Sequence, residues 1–129
     1  MLAGYSQGGA VIDQVVQNTT YTDRIAGIAL VGDAGNYPAK PQVLVGDDPN
    51  ASAQGLADAL GTRHETPQSL AGVTWSLCST GDVVCDWKSA ADAAILAGLD
   101  VHGDYRHDPD LKAYFAPLAE HVADLYPSL

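Results

Sequence analysis

The chain has 129 residues, 47% hydrophobic and 17% charged, which is room for one domain, 1–129, built on one core. Six basic side chains against sixteen acidic ones give a formal charge of -10, a field that repels nucleic acid and anionic membrane surfaces but not an uncharged ester. No apolar run is long enough for membrane insertion, and no basic, apolar and small-residue succession marks a signal peptide.

After Met1-Leu2-Ala3 comes Gly4-Tyr5-Ser6-Gln7-Gly8, a Gly-x-Ser-x-Gly pentapeptide. That pattern sits where a buried strand turns sharply into a helix and exposes a serine. From Ser6 the spacing turns helical: Val11, Ile12, Val15 and Val16 share one face, with Asp13, Gln14 and Gln17 on the other. "NTTYTD" ends the helix, and "RIAGIALVGD" reads as a strand buried on both faces, as in a parallel sheet. The stretch from Asp33 to about Asn50, with Pro38, Pro41 and Pro49, reads as loop, with "VLVG" as a short strand inside it. Ser52 to Leu60 forms a short helix, "GVTWSLC" a strand, and "DWKSAADAAILAGL" a helix. Asp108 or Asp110 caps a last helix that starts near Pro109 and carries the stripe Leu111, Tyr114, Phe115, Leu118, Val122 and Leu125. The alternation defines an α/β layered domain with a mostly parallel sheet of three strands at most, the first of them nearly all missing.

A serine hydroxyl becomes a nucleophile only beside a base, and the base needs a carboxylate to fix its tautomer. Glycines on both sides of Ser6 suit a turn with no space for side chains. The helix behind it aims amides at the site, the Gln7 N–H first. The acid is expected next in the chain. Asp82 lies in "CSTGDVVC", just after a strand, where ligands gather in open α/β sheets. Its plainer reading is a turn aspartate beside Gly81. Cys78 and Cys85 make no zinc site, having no histidine at ligand spacing; the alternatives are two free thiols or one local disulfide, and a loop clamped around one acid favours the disulfide. Of the four histidines, His64 precedes Asp82, in the wrong order, and His121 is a boundary or surface residue of the last helix. His102 and His107 both fall in the loop before that helix, and spacing leaves the two even.

"GYSQGG", "CSTGDVVC" and "HGDY" together resemble the cutinase family, secreted serine esterases of the α/β-hydrolase type. The resemblance implies a three-layer sandwich, with Ser6 as nucleophile, Asp82 as triad acid and His102, favoured by its spacing to Tyr105, as base. It also implies Gln7 as one oxyanion donor and a Cys78–Cys85 disulfide. The chemistry it implies is ester hydrolysis through an acyl-enzyme, without cofactor or metal, on an ester or lipid substrate: cutin polyesters, short- and medium-chain esters or longer lipids. Family members place two further strands and a second oxyanion donor before the elbow, so the chain is expected to correspond to the carboxyl-terminal portion of such a domain, incomplete at its N-terminus. That predicts impaired turnover and self-association through an exposed sheet edge. Two other expectations stand beside it: a non-catalytic relative or interaction module, and a phage-type esterase acting on cell-envelope lipids.

Overall fold

The computed structural model describes residues 1–88 and 90–127. Its elements in chain order are β1 (Leu2–Tyr5), α1 (Gln7–Asn18), β2 (Ile28–Val31), β3 (Val43–Val45), α2 (Leu56–Ala59), β4 (Thr74–Leu77), α3 (Asp92–Asp104) and α4 (Leu111–Leu125). The sheet has four strands in the order β1-β2-β4-β3, and every pairing is parallel. Leu2 pairs with Ile28, Ile28 with Thr74, and Val43 with Trp75. The opening strand, expected as a three-residue remnant, is a full partner of β2, and "VLVG" supplies a fourth strand.

Period-two alternation organises the core. Ile28 and Leu30 are fully buried on the α1 side, where they meet Val16 and Leu70, with Leu2, Ile12, Ile25 and Val73 packed around them. Each such side chain contributes roughly 1.5–3 kcal/mol by leaving water. Ala29 and Val31 point the other way and are only half-buried, because α4 crosses that face without closing on it. Leu118 and Val122 press on Gly27, while Leu111 and Phe115 help line a groove of about 710 Å³ over Ala29 and Val31. Helices thus lie on both faces of the sheet, giving three layers. The α4 stripe is looser than its spacing predicts: Leu118 alone in it is buried, and Leu125 is exposed.

The inward face of α1 differs from the sequence expectation. Val11 and Val15 stand 54% exposed, while Gly9, Asp13 and Val16 are buried. Asp13 goes inward because the ammonium of Lys40, itself buried, waits there. An ion pair overrides the hydrophobic pattern.

Candidate active site

Ser6 sits between β1 and α1 with φ 57° and ψ -125°, a left-handed conformation that costs a non-glycine residue on the order of 1–3 kcal/mol. Three backbone bonds hold it there. Its N–H donates to Val31 C=O at 3.0 Å, and its own C=O accepts from Gly9 and Ala34, both at 3.1 Å. Gly4 is required sterically, since a Cβ there would lie 2.9 Å from the Gly8 carbonyl group. Gly8, the other motif glycine, faces open space; Gly9 is the crowded one, tight against the Asp33 carboxylate. The reading that both flanking glycines avoid a clash holds for Gly4 and fails for Gly8.

Asp82 is fully buried in the loop after β4. Cys78 and Cys85 are joined, bracketing it, and the sulfurs belong to a small buried cluster with Ala53. The carboxylate accepts from His102 Nδ1, at 2.9 Å to each oxygen, from the Tyr105 hydroxyl at 2.6 Å and from the Val84 amide at 2.7 Å. This is no idle turn aspartate. Burial and the adjacent carboxylate push the Tyr105 phenol far above its usual range, so it stays a donor.

His102 lies in the last turn of α3, not in a loop. The reason is local: α3 docks on the disulfide loop through Gly98, where a Cβ would fall 2.6 Å from that of Val83. One helical turn later, on the same face, comes His102. That docking carries the helix past Leu99 and through Gly103, outweighing the roughly 1 kcal/mol a glycine costs inside a helix. His102, only 9% exposed, stacks its imidazole on the Tyr5 ring (centroids 4.9 Å apart, planes at 17°), and Tyr5 donates its hydroxyl to the His102 carbonyl at 2.7 Å. Beneath lies Gly32 with φ +57°; a Cβ there would be 2.9 Å from His102 Cε1.

The structure therefore joins Asp82 to His102 directly, and Tyr5, the residue before Ser6, stacks on the His102 ring. Among the described residues no hydrogen bond links the Ser6 hydroxyl to the His102 ring. Gln7, exposed, begins α1 beside Ser6, so its amide belongs to the unpaired N-terminal turn. His107 is exposed and accepts from Arg106, His121 is exposed on α4, and His64 contacts Gln17. Ser6 opens onto a cleft of about 450 Å³ with an apolar wall of Ala10, Val11, Leu56, Leu60 and Val84, and His64 at its rim. Sequence reasoning missed Tyr5 and Gly32 as parts of this site. Tyr105 entered it only as a spacing mark; an aromatic inside the pentapeptide was the one available signal for Tyr5.

A parallel sheet that presents a serine at one strand-to-helix turn and an Asp–His pair beyond a strand two places away has the layout of α/β-hydrolase folds. Residues 1–115 match the family model for cutinase, and the chain belongs to the cutinase family. Its fold is similar to that of a solved cutinase-like protein from Cryptococcus sp., with a TM-score of 0.68 at 21% identity. The match covers 94% of this chain and 60% of that one. No curated protein sequence matches it.

Proposed function

We propose that the chain carries the reacting groups of a secreted carboxylic-ester hydrolase. The observation that supports this most is the buried Asp82–His102 pair at 2.9 Å, whose imidazole stacks on Tyr5, the residue before a serine held at φ 57°. With Nδ1 committed to Asp82, the imidazole has Nε2 left to act as base. Ser6 Oγ attacks the ester carbonyl while His102 takes its proton, and the developing oxyanion is met by the Gln7 amide at the positive end of α1. The intermediate collapses, the alcohol leaves with the proton from His102, and Ser6 stays acylated. Water, deprotonated by His102, then releases the acid. No step calls on a metal or cofactor.

The apolar cleft beside Ser6 suits an uncharged acyl chain, and the net charge of -10 disfavours anionic substrates. A disulfide beside the acid fits an extracellular protein. A fluorophosphonate probe tests the reading. Folded protein should be labelled at Ser6, with labelling abolished in Ser6→Ala. The lack of a Ser6–His102 hydrogen bond among the described residues favours the second reading, a non-catalytic relative, and folded protein that resists the probe would establish it.

A further inference from the structure

Beneath the candidate site lies a charged cluster that the hydrolytic steps do not use. Lys40 Nζ donates to Asp13 Oδ2 at 2.5 Å and to Asp33 Oδ2 at 2.7 Å, with its side chain and that of Asp33 fully buried and that of Asp13 nearly so. The turn Tyr37–Lys40 delivers the ammonium: the Lys40 amide donates to Tyr37 C=O at 3.1 Å, Pro38 fixes the first corner, and Ala39 takes φ +58°, where glycine is usual. A strained turn around a buried ammonium implies a geometry over-determined by its surroundings.

Its two carboxylates hold the elbow from both sides. Asp13 is on α1, the helix that starts at Gln7. Asp33 lies two residues past the end of β2, next to Ala34, whose amide donates to Ser6 C=O. The approach is close: Gly9 has no space for a Cβ beside Asp33, nor Gly35 beside Asp13. Cutting the cluster therefore frees α1 from the β2 loop at the point where the serine backbone is pinned.

Resting on the esterase reading, we propose that Lys40 is a positioning residue for the nucleophile elbow, clamping α1 to the β2 loop so that Ser6 and the Gln7 amide hold their conformation. Three variants test it: Lys40→Met, Lys40→Arg, and the neutral triple Lys40→Met/Asp13→Asn/Asp33→Asn, which guards against misfolding from carboxylates left buried without a partner. Two readouts are taken, the second-order rate of fluorophosphonate labelling at Ser6 and amide hydrogen exchange. In Lys40→Met, labelling should fall at least 10-fold. The Gly9 and Ala34 amides, both bonded to Ser6 C=O, should exchange at least 10-fold faster, while those of Thr74–Leu77 keep their rate. Lys40→Arg should stay within 3-fold of the parent, and the triple should be as slow to label as Lys40→Met. A folded Lys40→Met or triple variant that labels at the parent rate overturns the proposal. So does exchange that rises equally in β4 and at the elbow, which marks general loss of stability. If the parent itself is not labelled, the esterase reading fails, and the exchange comparison alone decides for or against the clamp.

Discussion

Tyr105 donates its hydroxyl to the same Asp82 carboxylate that holds His102, at 2.6 Å, and accepts the Ser79 amide at 2.9 Å in return. The phenol thus ties the end of the α3 segment to the strand exit before the disulfide loop, through the one carboxylate that orients the imidazole. Phe at this position keeps the ring and removes the donor. Tyr105→Phe should lose about 1.5–3 kcal/mol in urea unfolding, the worth of a hydrogen bond to a charged group. The rate of probe labelling at Ser6 should drop too, since Asp82 is then less firmly placed. An unchanged midpoint with unchanged labelling would show that the bond is dispensable.

Gly32 lies under the imidazole with a positive φ. An alanine there is strained by its backbone and meets His102 Cε1 and the Tyr105 ring. Gly32→Ala should cost about 1–3 kcal/mol and disturb the His102 ring proton signals in NMR. If those signals stay in place, the ring is not supported from below.

The disulfide closes a short loop, Cys78 to Cys85, and in the chain-entropy model such closure is worth about 2.5 kcal/mol. Cys78→Ala/Cys85→Ala should unfold at correspondingly lower urea and label more slowly, because Asp82 loses its frame. Equal urea midpoints for the two proteins would contradict this.

Burial, and then the Asp33 charge, carry the Asp13 carboxyl up to about 7 against the pull of Lys40. A carboxyl whose folded pKa is raised binds its proton more tightly in the native state, so its contribution to stability is fully present below about pH 4 and is lost as pH rises toward 7. The groups facing it are Asp33, the Lys40 ammonium and the Thr66 hydroxyl. Lys40 has the opposite place on the scale: burial lowers it, but Asp33 and Asp13 together raise it above its ordinary value, so its contribution fades only in strong alkali. Relative to Asp13→Asn, the parent should lose on the order of a few kcal/mol between pH 4 and 7, at about 1.4 kcal/mol per pKa unit. A pH-independent difference would refute the assignment.

Along its outer side β1 has no strand neighbour among the described residues. Light scattering should find species larger than the 13.4 kDa monomer, growing with concentration. A lysine at the exposed edge, Ala3→Lys, should reduce them. A monomer at every concentration would count against edge pairing.

Much of this was legible in the sequence because it rests on local pattern. Period-two spacing in "IALV", the glycine before Ser6 and the two cysteines around Asp82 each act within a few residues. What escaped depends on long-range meetings. Asp13 looked like a surface residue because its partner, Lys40, lies in a proline-rich stretch with no periodicity to read. His102 looked like a loop residue because its helix is sustained by Gly98 docking on Val83, a contact no helix propensity encodes. Gly32 was invisible for the same reason, since its lack of a side chain matters to the rings of His102 and Tyr105, about 70 positions later in the chain.

The all-parallel sheet has a consequence for how this molecule comes into being. Among the described residues no strand pairs with a neighbour across a hairpin; β1 must find β2 across a helix, and β2 must find β4 past β3. Loop-closure entropy is spent before any of these pairings rewards it, so folding should be slow for so short a chain. Ser6 and Asp82 follow β1 and β4, which touch only through β2, and His102 lies on α3, so these residues take their places only when the whole sheet has closed. Newly made chains will pass through a period in which apolar strands are exposed and the arrangement of Ser6, Asp82 and His102 does not yet exist.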